Sequence, residues 1–336
     1  MHSLGPIEVV DYHVAGAPFR VVTSGFPQVR GTDPLARVGE ARNVGDDLRR
    51  LLVNEPRGHD GLHGGYAYSP GHSGADLEAV FFHQAGYSTV SGRGTIALVT
   101  WAIESGLVPA DAPQGPVTLD TPAGTVEANA RISNGRVESV SFRNVTSYVA
   151  GRFIPMQLAD GVVPVDIAYG GAYYAAVDVG ELALVIAPGN LDAFVRYGRE
   201  IGAILADNPA VVHPTDHRLS GLTATVFYED VEVSGPGRQQ RSVTVSTDGR
   251  VDRSPCGGGT SARVALLDNT AELARGDALV NESFVGGRFS ARVVGDGEVG
   301  GIHGVVTEVE GRAFRTGVGT YWLDEDDPIG FGYQLV

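Results

Sequence analysis

The sequence predicts an α/β (α+β) protein of two pseudo-symmetric lobes, each a curled, mostly antiparallel sheet around one central helix. Three observations carry this expectation. Glycine is abundant, at 47 of 336 residues, which favours tight turns and short strands over a helical bundle. Alternating apolar and polar runs recur between turn signals. Two almost wholly apolar helices each follow a similar Gly-rich turn, about half a chain apart.

The strands come first. Ile7–Val14 and Phe19–Thr23 flank a Gly-Ala-Pro turn. Val117–Leu119, Thr125–Ala130, Arg131–Ile132 and Val137–Phe142 alternate between turn signals such as Ser133-Asn134-Gly135. Tyr173–Val179, Leu182–Ile186, Ala224–Tyr228, Ser242–Thr247, Phe289–Val294 and Ile302–Glu308 continue the pattern.

Helices are few. Asp46–Leu52 reads as one, and Leu191–Ala206 as an amphipathic one. Thr95–Ser105 is apolar nearly all round and closes at Gly106, the signature of a buried helix. Thr260–Ala274 is the second buried candidate. Ser91-Gly-Arg-Gly-Thr95-Ile-Ala97 precedes the first and Cys256-Gly-Gly-Gly-Thr260-Ser-Ala262 the second, 165 residues later. The shared pattern, [Ser/Cys]-Gly-x-Gly-Thr-x-Ala, points to an internal duplication. Four spaced small residues in a Gly-rich chain can also match by chance.

Composition narrows the function. Hydrophobic residues make up 43% and charged residues 19%, enough apolar surface for a true core. The formal net charge of −15 disfavours nucleic acid and anionic membranes as partners and otherwise serves solubility. The single cysteine, Cys256, has no disulfide partner within the chain and no zinc-ligand spacing around it. Met1–Val10 lacks the pattern of a signal peptide, and no run approaches the roughly 20 apolar residues of a membrane span. The expectation is a soluble, cytoplasmic protein with no metal.

Glycines at a helix start let backbone N–H groups approach a ligand, and the helix N-terminus favours an anion such as a carboxylate. A thiol there is more readily ionised, and a thiolate can take the proton from the α-carbon of a bound amino acid. A second group on the opposite face can return one. That is racemisation or epimerisation without a cofactor. Phosphate binding by the same loops is the weaker reading, because no Gly-Lys-Ser/Thr or GxGxxG accompanies them. Asp252, four residues before the thiol, suits a substrate ammonium or an ordinary turn or cap. His59 and His63 form the dense His cluster, but the surrounding glycines argue against the helix an i, i+4 metal pair needs. A loop that shapes a pocket fits better.

At these residues the chain resembles the proline racemase family, which includes 4-hydroxyproline 2-epimerases and trans-3-hydroxyproline dehydratases. Asp11-Tyr-His13-Val-Ala-Gly16-Ala-Pro18-Phe-Arg20, Pro56-Arg57-Gly-His59, Val165-Asp166-Ile-Ala-Tyr-Gly-Gly171 and Asp252-Arg-Ser-Pro-Cys256-Gly-Gly-Gly-Thr260-Ser-Ala each resemble a family segment. The resemblance implies a fold of the diaminopimelate epimerase type, with the active site in the cleft between lobes. It divides the chain into 1–145 plus 319–336, carrying the Ser91 helix, and 146–318, carrying the Cys256 helix.

The resemblance also implies roles. Cys256 is one acid/base, and Ser91 stands where the family usually has the other, a Cys. Asp252 holds the imino nitrogen. Backbone N–H groups around Gly92, Arg93, Gly257 and Gly258 hold the carboxylate, and His63 faces the substrate ring. No cofactor is implied. The partner is a small imino acid, hydroxyproline or proline, and a homodimer is one assembly left open.

Four positions depart from the family. Ser91 is a far weaker acid than a thiol. Arg93 replaces a histidine, and a fixed cation there would contact the carboxylate or turn outward. Ala172 replaces an Asn common in racemases and epimerases. Gly258 replaces a Thr. Three functions remain open: cofactor-independent two-base epimerisation of hydroxyproline, as in 4-hydroxyproline 2-epimerase; trans-3-hydroxy-L-proline dehydration, which tolerates loss of one thiol; and non-catalytic binding of an imino acid. The dehydratases usually keep the first Cys and replace the second, the reverse of this chain, which favours the epimerase.

Overall fold

The computed structural model describes residues 5–27, 29, 34–68, 74–109, 116–122 and 124–335. The chain forms two units, Met1–Val140 with Arg312–Val336, and Ser141–Gly311. The first four residues of the segment read as lacking a signal peptide lie outside the described residues.

The first unit opens with β1 (Ile7–Val14) and β2 (Ala17–Ser24), antiparallel with Val9 opposite Val22. Two helices follow, α1 (Pro34–Val44) and α2 (Asp46–Val53). Then come β3 (His63–Tyr68), β4 (Leu77–His83) and β5 (Gly86–Ser88). β3 lies parallel to β2, pairing His63 with Phe19, and antiparallel to β4. Next are α3 (Gly92–Glu104), β6 (Val117–Thr121) and β7 (Gly124–Ser133). The chain passes to the second unit within β8 (Arg136–Arg143).

The second unit contains β9 (Tyr148–Leu158), β10 (Gly161–Tyr169) and β11 (Tyr173–Asp178) as successive antiparallel neighbours. α4 (Leu191–Leu205) leads to β12 (Leu222–Val231), which returns parallel to β11. β13 (Arg238–Ser246) and the short β14 (Val251–Asp252) precede α5 (Gly257–Asn269). β15 (Ala278–Ser283), β16 (Arg288–Val299) and β17 (Ile302–Gly311) complete the unit. The chain then returns to the first unit as β18 (Ala313–Tyr321), antiparallel to β1 with Val9 opposite Gly319.

Each unit wraps a sheet around one helix. α3 packs against β1, β2, β3, β7 and β18, and α5 against β9, β10, β11, β16 and β17. Every residue from Gly257 to Leu267 is buried, as is every residue from Gly92 to Thr100. An all-round apolar sequence is what such a surrounded helix requires. Among the described residues, no helix is long and apolar enough to cross a membrane.

Three local expectations change. Leu182–Ile186 is not a strand. Asp178 accepts a hydrogen bond from Gly180 N at 2.8 Å and caps a 3₁₀ turn over Val179–Leu182, which Ala183 ends in the left-handed region. The thiol helix begins at Gly257 and stops at Asn269, short of Ala274. His63 opens strand β3 rather than lying in a loop.

Candidate active site

In the second unit, Cys256 occupies the residue before α5, half-buried, with φ 61° and ψ 108°. A side-chain-bearing residue pays in strain for a left-handed φ, by about 1–2 kcal/mol. Of the three glycines that follow, Gly258 is the most closely confined. A methyl group on Gly258 would stand 2.6 Å from the Tyr174 hydroxyl, and one on Gly170 would collide with the Gly258 carbonyl. The Tyr169-Gly170-Gly171 stretch thus packs directly on the first turn of α5.

Polar side chains hold that turn. Asp252 Oδ1 accepts from Ser254 N at 2.9 Å and from Ser254 Oγ at 3.0 Å, and Ser254 Oγ accepts from Cys256 N at 3.3 Å. Thr260 Oγ1 donates to the Pro255 carbonyl at 3.1 Å. Asn281 Nδ2 donates to Thr260 Oγ1 and to the same carbonyl. Deeper along α5, Arg263 is buried with its guanidinium 3.5 Å from the Tyr228 ring centroid and its Nε donating to Gln240 Oε1 at 3.3 Å. Burial pushes this guanidinium below its ordinary value.

The Cys256 sulfur lies 3.6 Å from the Tyr174 hydroxyl on β11. No side chain caps α5, so its first-turn N–H groups face the thiol end, as anion binding at a helix start requires. Asp252, Cys256, Gly257 and Gly258 are therefore gathered at one helix start.

In the first unit, Ser91 occupies the corresponding position before α3, but differently. Its backbone is extended, with φ −152°, and its Oγ accepts from Gly94 N at 3.0 Å. Both residues occupy the N-cap position, but only the Ser91 side chain makes the capping hydrogen bond. Gly94 is required because a methyl group there would stand 2.6 Å from the Phe81 ring. Arg93 is buried at 9% exposure, so it does not turn outward to solvent. α3 packs on β3, the strand that opens with His63, and His63 stacks on His83 with ring centroids 5.2 Å apart.

Tyr174 is the residue to which sequence reasoning assigned no role. It lies three residues beyond Gly171 of the central motif, and its contact with Cys256 spans 82 residues. The one available signal was the loss of a side chain at Gly258, which leaves the space its hydroxyl fills.

The fold and these helix starts define a mixed α/β enzyme with a thiol at a helix N-terminus. The chain belongs to the proline racemase family, whose model matches residues 9–334. It is 38% identical, over 97% of both chains, to a trans-3-hydroxy-L-proline dehydratase of Bacillus thuringiensis subsp. konkukian. It is 37% identical, over 98% of both chains, to a 3-hydroxyproline 2-epimerase of Burkholderia multivorans. A hydroxyproline epimerase of Agrobacterium vitis, solved with bound trans-4-hydroxy-L-proline, superposes with a TM-score of 0.89 at 31% identity, covering 98% of this chain and 96% of that one. The family's known members include both epimerases and dehydratases, and the chain is an enzyme of that group.

Proposed function

We propose that the protein removes the α-proton of 3-hydroxyproline with Cys256 as the base and dehydrates the trans isomer, with two-base epimerisation of hydroxyproline as the second reading. The observation that carries the choice is the contrast between the two helix starts: the Cys256 sulfur is not used as a cap, whereas the Ser91 oxygen is.

The chemistry follows from position. A 3-hydroxyl is on the carbon next to the α-carbon, so the electron pair left by the α-proton can form a double bond between the two as the C3–O bond breaks. A 4-hydroxyl is one carbon too far. In the trans-3-hydroxy isomer the carboxylate and hydroxyl lie on opposite faces of the ring, so the α-proton and the hydroxyl share one face. A single thiol can take the proton and hand it to the departing hydroxide, which leaves as water. The resulting enamine tautomerises to the cyclic imine. One good acid/base suffices, and the serine hydroxyl need not act as the second.

In this reading Asp252 binds the imino nitrogen, and the N–H groups of Gly92, Arg93, Gly257 and Gly258 bind the carboxylate. His63 faces the substrate ring in the same reading. The names of the relatives support a 3-hydroxyl substrate. The second reading, 4-hydroxyproline 2-epimerase, is favoured by Ser91, whose hydroxyl keeps its own proton to donate while its oxygen caps the helix, and by the ligand of the Agrobacterium structure. A reactive thiol suits a reducing compartment, the cytoplasm.

The test is incubation in deuterium oxide with the 3- and 4-hydroxyproline isomers and proline, followed by NMR. Cyclic imine from trans-3-hydroxyproline is expected. Inversion of 4-hydroxyproline with deuterium at Cα, and no imine from the 3-hydroxy isomer, would replace the first reading by the second. Cys256→Ala should abolish all exchange, and full retention would sink both.

A further inference from the structure

We propose that Tyr174 is a positioning residue for Cys256, and that Gly258 is the gap that admits it. The phenol oxygen lies 3.6 Å from the sulfur, within hydrogen-bonding distance when sulfur is a partner. Tyr174 is 5% exposed and anchored in β11, with Ala168 on one side and Ala224 on the other.

A phenol suits a group that alternates between acid and base. While Cys256 carries its proton, the S–H donates to the phenol oxygen. Once the proton has gone to or come from the substrate, the phenol O–H turns and donates to the thiolate. A hydrogen bond to the charged form favours that form, so the phenol makes the thiolate easier to generate and fixes the direction in which it points. No bond between heavy atoms is made or broken, and the phenol keeps its proton throughout.

Gly258 is part of the same device. A methyl group there would lie 2.6 Å from the Tyr174 hydroxyl, 3.0 Å from its ring and 3.0 Å from the Gly170 carbonyl. Any side chain at 258 has to push the phenol off the sulfur. The Gly that replaces Thr in the thiol motif is thus matched to a tyrosine 84 residues earlier in the chain.

The catalytic meaning of this pair rests on the proton-transfer role proposed for Cys256, but its test does not. Cys256 is the only cysteine, so alkylation of the full chain by iodoacetamide reports this sulfur alone, whatever the substrate. The rate is followed against pH for the wild type, Tyr174→Phe and Gly258→Ala, with Cys256→Ala as the blank. The midpoint of the alkylation profile is expected to rise by about one pH unit in both variants, the scale expected for loss of a hydrogen bond to a charged group. A Tyr174 that merely packs would leave the midpoint in place, and an unmoved midpoint in folded Tyr174→Phe overturns the proposal. Should Tyr174→Phe fail to fold, Gly258→Ala decides on the same readout. A shifted midpoint without turnover of any proline derivative would uphold the pair and refute the proposed function.

Discussion

Asn281 Nδ2 donates to Thr260 Oγ1 at 2.9 Å beneath the first turn of the thiol helix. The same amide reaches the Pro255 carbonyl at 3.4 Å, so one buried side chain ties the residue before the cysteine to the helix that follows it. Its own Oδ1 is buried without a partner among the described residues. An unsatisfied oxygen is costly in a core, a cost set against the two hydrogen bonds that Asn281 donates. Asn281→Ala should destabilise the protein by about 1–2 kcal/mol, measured by urea denaturation. It should also lower kcat more than it raises KM, because it loosens the thiol rather than the substrate contacts.

Ser91 is expected to show separable structural and chemical effects. Ser91→Ala removes the N-cap of α3 and should cost about 1 kcal/mol of stability, while dehydration of trans-3-hydroxyproline largely survives. Ser91→Cys should also lose most of the cap, since sulfur is a poor acceptor, yet it should raise α-proton exchange with inversion. A gain in inversion together with a lower melting temperature is the expected pair of measurements.

The backbone at Cys256 offers a different comparison. Because glycine tolerates φ 61° without penalty, Cys256→Gly should be more stable than Cys256→Ala by about 1 kcal/mol after allowing for glycine's greater unfolded-state freedom. Both should be inactive. Equal stability of the two variants would mean that the turn before α5 is relaxed.

His213 supplies a pH dependence. It is buried beside the Tyr148 and Tyr169 rings, and its Nδ1 accepts from the backbone N–H of Asp216 at 3.2 Å. Burial pushes its imidazole below the ordinary value of 6.5, with the Asp216 carboxylate opposing. Between the lowered folded value and about 6.5, the unfolded chain binds a proton that the folded chain does not. Stability therefore falls as the pH drops through that window. His213→Gln, which keeps an acceptor, should flatten the melting temperature between pH 7 and pH 5.5 relative to the wild type.

Much of this architecture was legible in the sequence, for identifiable reasons. The strand Ile7–Val14 and the helix at Asp46 follow from periodicity, and the two buried helices from apolar runs that begin at Gly-rich turns. β9 and β10 were not legible, because Pro155 and Pro164 break the strand pattern. In the structure these prolines lie opposite each other, and Pro164 precedes the stretch that pairs with β11, so neither removes a donor from the centre of the sheet. At the site, the thiol, its glycines and Asp252 are contiguous and so were readable. A serine just before a helix is a common cap, so the capping by Ser91 was open to local reading, whereas the Tyr174 contact depends on strand packing 82 residues away from the cysteine.

The return of β18 to pair with β1 bears on how the protein is made. The second unit is one unbroken stretch, Ser141–Gly311, whereas the first is assembled from the two ends of the chain. On the ribosome, the thiol-bearing unit can close as soon as its own residues emerge. The unit that carries Ser91 must wait, its first strand unpartnered on one edge and Arg20 without the Tyr321 hydroxyl it will later bond at 2.7 Å, until the last strand is synthesised. An exposed strand edge is a site for aberrant pairing, and β1 presents such an edge until residue 321 has been made.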